Sequence, residues 1–225
     1  MKPAAVLVAV LILLAVFAPL FTPYPASGSA GRGTGAALEE RLQPPSWAHP
    51  CGTDELGRDI WARTLYGARV SLGIGLGARL AAVLLGAVIG VSAGYFGGRV
   101  DFVISRAIEV VLAFPSLILA IAIGVALEPG LKTVLIAIVV VSWVDVAILV
   151  RSLAASLKER DFVAAARSLG DSPLRILRRQ ILPNCLPTLM VSFTFGIAAA
   201  VMVEASLSFL GIGASAGAAD LPSWG

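Results

Sequence analysis

The chain is poor in the residues that most soluble folds and most reaction centres need. Among 225 residues there are two cysteines, Cys51 and Cys185, and one histidine, His49. Two thiols do not build a disulfide framework, and a structural zinc site takes about four nitrogen or sulfur ligands. His49 and Cys51 in one proline-rich stretch therefore do not make a metal site. Charge is scarce too: Lys, Arg, Asp and Glu make up 14% of the chain, where soluble domains carry ~25%. With 58% hydrophobic residues and a mean hydropathy of +0.90, too little polar surface remains to cover a water-facing globule. No G-x-x-x-x-G-K-[ST] phosphate loop and no H-E-x-x-H motif occurs, so nucleotide hydrolysis and zinc proteolysis have no local signature. What remains is an integral membrane protein.

Long apolar runs are what the chain has in abundance. A helix needs about 20 mostly apolar residues to cross a bilayer, with ~17 as a lower limit. Five runs qualify: Ala4–Phe21, Val70–Phe96, Val110–Leu127 with Phe114-Pro115 inside it, Thr133–Val150, and roughly Pro187–Leu210. The expected fold is all-α and polytopic, with about five transmembrane helices. A cleavable signal peptide is the rival for the first run, followed by the small residues Ala26 to Ala30. Its apolar run exceeds the ~7–15 residues of a signal core, so a retained helix over 1–21 is expected.

The basic residues set an orientation. Seven of the 17 lie between Arg151 and Leu186, and Lys2, Arg99 and Arg106 fall on the same side. Six lie on the other side: Arg32, Arg41, Arg58, Arg63, Arg69 and Lys132. The positive-inside rule puts the 151–186 segment and the amino terminus in the cytoplasm. The net charge of +3 is thus read as topology, and no nucleic acid is expected as a partner. The extracytoplasmic loop 22–69 divides in two. Tyr24 to Pro45 is Gly/Ala/Pro/Ser-rich and expected to be poorly ordered; Asp59 to Val70 suits either a short interfacial helix or a solvated loop. Residues 70–225 form the transmembrane core.

Within that core, Gly73, Gly77, Gly86, Gly90, Gly94 and Gly98 recur mostly at four-residue spacing, which lets another helix approach one face closely. Gly73 and Gly75 do not start a dinucleotide motif, because position 78 is Ala and no strand pattern flanks it. Arg79, Asp145 and Glu204 sit inside apolar runs. Each is expensive against lipid, so each is expected either to line a path or to pair with a neighbouring helix.

The segment 151–186 reads as structured. Phe162, Ala165, Ala166 and Leu169 fall at helical spacing. Gly170 supplies a stop, and Ser172-Pro173 a capped restart. Leu174, Leu177 and Ile181 line one face of a second short helix and Arg175, Arg178 and Arg179 another, with Pro183 expected to end it. From periodicity alone, a protein-docking hairpin and a helix held on anionic lipid fit equally.

Ala164-Ala165-Ala166, Gly170 after three intervening residues, and Gln180-Ile181-Leu182-Pro183 resemble the EAA loop of binding-protein-dependent ABC importer permeases. His49-Pro50-Cys51-Gly52-Thr53-Asp54-Glu55-Leu56-Gly57-Arg58-Asp59, Tyr66 to Leu72, Ala93 to Gly98, Leu207 to Gly213 and Pro222-Ser223-Trp224-Gly225 resemble the dipeptide/oligopeptide/nickel subfamily. The likeness extends from about His49 to Gly225. It implies a membrane subunit that moves substrate by alternating access, with no cofactor and no catalytic residue of its own. Its implied partners are a second permease subunit, cytoplasmic ATP-binding subunits and an extracytoplasmic substrate-binding protein, in a bacterial inner membrane. Ala164, Ala165, Ala166, Gly170, Leu182 and Pro183 would then form the ATPase-coupling loop. Short peptides are the first substrate expected and nickel ion the second; an ATP-independent channel or carrier is the rival class. Four departures stand out, one of them Arg79 inside the second apolar run. Ala164 replaces the usual Glu, Gln180 stands where Ile is frequent, and members continue past the Trp-Gly with a further helix that this chain, ending at Gly225, is expected to lack.

Overall fold

The computed structural model describes residues 10, 12–24 and 40–213. Among them every regular element is helical, apart from one isolated β-bridge between Thr53 and Asp59. Of the expected first span, residues 4–9 and 11 lie outside the described residues. Its visible end is the helical stretch 12–16 followed by α1 (Ala18–Phe21). Most of the Gly/Ala/Pro-rich stretch expected to be poorly ordered also lies outside them.

The next helix, α2 (Ile60–Phe96), is unbroken over 37 residues, about 55 Å at 1.5 Å per residue. The separate interfacial helix considered for Asp59 to Val70 does not form; those residues are the first third of α2. Asp59 fixes the start. Its Oδ1 accepts from the Ala62 N–H at 2.6 Å, and its Oδ2 bonds His49 Nδ1 at 2.8 Å. His49 is itself buried and stacks on Tyr24 at 4.9 Å. Beside it, Asp54 takes Arg58 and Arg63 at 2.7 and 2.6 Å. Partial burial works against the Asp54 carboxylate, but backbone N–H groups of Arg58 and Leu56 and the Arg58 side chain hold it below the usual carboxylate range.

After Gly97 come α3 (Gly98–Leu112) and α4 (Ser116–Ala126), bent by 85° at the break between them. The run expected as one span, Val110–Leu127, is therefore not a continuous helix. Pro115 has no N–H to give and forces the residue before it out of the α region, so the chain turns at Ala113 to Pro115. α5 (Leu131–Leu157) follows, then α6 (Asp161–Ser168) and α7 (Pro173–Ile176). A π-turn, Leu177–Ile181, carries α7 without interruption into α8 (Leu182–Phe209). The stop expected at Pro183 does not occur. Within the π-turn the Leu182 N–H reaches the Leu177 carbonyl, a wider ring that resets the ladder just ahead of the proline. Asn184 Nδ2 then donates to the Gln180 carbonyl at 2.6 Å. Among the described residues, three helical segments (α2, α5 and the α7–α8 run) are long and apolar enough to cross a membrane, or four with the bent α3–α4 pair.

Glycine decides how these helices pack. α2 and α5 run parallel and nearly touch: a Cβ on Gly86 would stand 2.6 Å from the Trp143 carbonyl oxygen, and one on Gly90 2.5 Å from that of Ala147. Gly94 meets Arg151 and Ala154 in the same way. Opposite hand holds for α8, which runs antiparallel to α2, with Gly75 against Val201 at 2.6 Å. Gly73 and Gly98, in the same spaced series, meet nothing within 4 Å. The broken pair fills the return path along α5: Asp101 pairs with Arg151 at one end, Ile108 packs by Val144 and Ala147, and Ala120 clusters with Val134, Ala137 and Ile138. Gly90→Val is expected to cost about 1–3 kcal/mol of helix-packing stability. Gly73→Ala is expected to cost a small fraction of that. Thermal unfolding in detergent measures both.

Candidate functional site

At the far end of α5 the chain makes a compact hairpin. The α6 ladder closes with Leu169 N–H to Ala165 carbonyl, then Gly170 N–H to Arg167 and Asp171 N–H to Ala166, all at 3.0 Å. That last six-to-one bond is the Schellman closure, and it requires a left-handed residue; Gly170 sits at φ +82°. Ser172 then accepts from the Arg175 N–H at 3.4 Å, Pro173 occupies the first turn, and Arg175 returns to Asp171 at 2.8 Å. The hairpin is rigid because its two helices share these caps.

Its inner face is bound to the membrane helices. Val163 and Ala166 of α6, Ile176 of α7 and Ile181 of the π-turn are buried in one cluster with Val91 and Tyr95 of α2 and Val150 and Ala154 of α5. The Arg167 guanidinium lies 5.6 Å from the Tyr95 ring centroid, within cation–π range. The apolar stripe read from the sequence is divided between the two faces: Ala166 points inward, Phe162, Ala165 and Leu169 are exposed, and Val163, outside that stripe, carries the seam with Ala166. Ala164 and Ala165 stand on the outer face beside Leu169, 86% exposed, and Leu174, 74% exposed. A shallow cleft of about 300 Å³ continues from them, lined by Ser172, Leu174, Arg175, Arg178 and Arg179. Leu182 and Pro183 are not on this surface but in the first turn of α8.

The three intramembrane ionisable groups separate into two kinds. Arg79 of α2 is buried where α2, α5 and α8 meet. Its Nη2 donates to the Ser192 carbonyl at 2.9 Å and to Ser192 Oγ at 2.7 Å, and its Nη1 reaches the Ser142 carbonyl at 3.5 Å. Nε has no acceptor among the described residues. Glu204 of α8 is buried too; Ser71 Oγ donates to its Oε2 and Ser208 Oγ to its Oε1, each at 2.8 Å. Both side chains hold helices together. Asp145 is instead exposed on α5, and no hydrogen bond or ion pair joins it to a described residue.

Gly196 is the partner that the sequence reading missed. A Cβ there would overlap the Arg79 guanidinium. The available signal was Ser192-x-x-x-Gly196, a small-xxx-small pair inside a run of large apolar residues. Gly196→Ala is expected to expel the Arg79 head and destabilise the bundle by about 1–3 kcal/mol. The cost should shrink when Arg79 is already Ala, a coupling of about 0.5–3 kcal/mol in a double-mutant cycle.

Residues 86–222 match the family described as binding-protein-dependent transport system inner membrane component. A putative peptide transport system permease protein of Brucella suis biovar 1 is 45% identical over 208 residues, covering 92% of this chain and 68% of the relative. A dipeptide transport system permease protein of Alkalihalophilus pseudofirmus is 44% identical over 214 residues, 95% of this chain and 67% of the relative. The oligopeptide transport system permease protein of Bacillus subtilis is 37% identical over 220 residues, 98% and 69% respectively. Among solved structures, the MetNI methionine ABC transporter in an inward-facing conformation shares the fold. Its TM-score is 0.55 at 20% identity, over 66% of this chain and 74% of that one.

Proposed function

This chain belongs to the family of binding-protein-dependent transport system inner membrane components, and from that premise we propose that it forms part of the membrane passage of an ATP-driven importer of di- and oligopeptides. The relatives named for peptide, dipeptide and oligopeptide transport support that substrate class. A second permease subunit completes the passage, separate ATP-binding subunits power it, and an extracytoplasmic binding protein delivers the peptide. The 151–186 segment faces the cytoplasm with the amino terminus, supported by the clustering of basic residues there.

One observation carries the mechanism. The hairpin is fastened by its inner face to α2 and α5 and continuous through the π-turn with α8, while its outer face offers Ala164, Ala165, Leu169 and Leu174 to a partner. A push on that outer face has no slack to take up before it reaches α5 and α8. ATP-driven closure of the partner subunits therefore tilts the two helices together, and alternating access follows as the passage opens first to one side and then to the other. Arg179 and Arg178 flank the docking face and steer an acidic rim towards it. Without a carboxylate at position 164, attachment depends on shape and apolar contact. Arg79 and Glu204 hold α2, α5 and α8 in register during that motion, and Asp145 faces the passage.

The Gly170 turn tests this reading. Gly170 meets no atoms that a Cβ would strike, so a side chain there suffers only from the left-handed backbone, about 1–2 kcal/mol. Gly170→Val is expected to lower ATP-driven peptide uptake into proteoliposomes by about tenfold or more, with membrane insertion preserved. Gly170→Asn, which tolerates that conformation, should keep most of it. Full uptake by Gly170→Val would refute the lever.

A further inference from the structure

Asp145 stands apart from Arg79 and Glu204, whose side chains both bond across helices. It stands in an apolar stretch of α5, about 20 Å along the helix from Lys132 and about 9 Å from Arg151, and its side chain is exposed. Its electrostatic partner is Arg79, but that guanidinium is turned to Ser192 and Ser142 in the α2–α5–α8 core. A lone carboxylate at this depth does not face hydrocarbon.

A second feature adjoins it. Ala113, Phe114, Pro115 and Ser116, the residues of the break between α3 and α4, are all exposed. Open backbone at membrane depth is tolerated only against protein or a water-filled cavity. α4 folds back along α5 from Leu131, so its first residue lies near the level of Val141. Val134, Ile138, Val141 and Asp145 fall at i, i+4, i+7 and i+11, one face of α5. Val134, Ile138 and Val141 pack in the cluster that α4 joins through Ala120 and Ile121. The face continues past the end of α4 to Asp145. The break and Asp145 thus lie at neighbouring levels along α5, between the α4 contacts at Val134 to Val141 and the α3 contacts at Val144 and Ala147, and neither is suited to hydrocarbon.

We propose that Asp145 receives the protonated amino terminus of a peptide in transit and so favours cargo with a free amino group. This rests on the peptide-importer reading. The carboxylate has the charge for an ammonium ion, no cation in contact with it among the described residues, and a depth in the bundle that is unfavourable against lipid. The rival occupant is a basic side chain of the second permease subunit.

The test uses the assembled transporter, both permease subunits with their ATPases, in nanodiscs without nucleotide or binding protein, so that the delivery protein's own selectivity does not enter. Alanyl-alanine and N-acetyl-alanyl-alanine are titrated against it. In the wild type, acetylation is expected to weaken binding about tenfold or more, the range of a charge-assisted hydrogen bond. Asp145→Asn should lower the free-amino peptide to the acetylated level and leave the acetylated one unchanged; Asp145→Glu should retain part of the difference. Indifference of the wild type to acetylation, or equal weakening of both peptides by Asp145→Asn, overturns the proposal. Loss of the second permease from the Asp145→Asn complex also overturns it, in favour of subunit pairing. A wild-type transporter that binds neither peptide and shows no ATP-driven peptide uptake defeats the importer reading itself.

Discussion

Close approach of α2 and α5 is the constraint from which the rest of the architecture follows. In a bilayer no hydrophobic force drives helix against helix, since lipid chains are as apolar as leucine, and association relies on van der Waals contact and polar links. Gly86, Gly90 and Gly94 bring the α2 backbone against α5 along three turns. Because the two helices are parallel, the chain between Phe96 and Leu131 must travel back across the full length of α5 before the second can start. That journey is made by α3 and α4. Its two ends are pinned, one by Arg151 on Asp101 at 2.5 and 2.8 Å, the other by the Gly130 N–H on the Ile212 carbonyl at 3.1 Å.

Irregular backbone appears only where this arrangement needs it. At Ala113 to Pro115 the return path changes direction by 85°. At Leu177–Ile181 the π-turn lets α7 and α8 be one continuous rod despite Pro183. The first irregularity disposes the α4 end of the bundle beside the exposed face of α5. The second stiffens the link between the outer surface of the hairpin and the membrane. Polar side chains follow the same division: Arg79 and Glu204 are spent on joining helices, and Asp145 is left over.

Much of this was legible in the sequence, and the misses have identifiable causes. Apolar runs located α2, α5 and α8, because hydrocarbon thickness imposes length whatever the tertiary contacts. The Gly170 turn was legible because a left-handed residue followed by Ser-Pro has few structural alternatives. The break at Pro115 was visible as a proline but was read as interior to a span, since composition reports depth and not direction. Pro183 was read as a stop because a proline ends an ordinary helix, and nothing in residues 177–181 announces a π-turn. Which side of the hairpin helix is inward also escaped: Phe162, Ala165 and Leu169 form an apolar stripe as good as Val163 and Ala166, and on a docking element both faces are apolar. Pairing partners across helices, Gly196 for Arg79 and the two serines for Glu204, need the fold before they can be assigned.

The replacement of an acid by Ala164 bears on how force enters the molecule. A salt bridge to a partner would resist separation in a direction set by two side chains, whereas Ala164, Ala165, Leu169 and Leu174 offer a surface that resists only while it is seated. Such a surface transmits compression well and tension poorly. In the proposed coupling, closure of a partner on the hairpin would supply compression, and the buried seam of Val163, Ala166, Ile176 and Ile181 would be loaded in the direction in which close-packed side chains are least compliant.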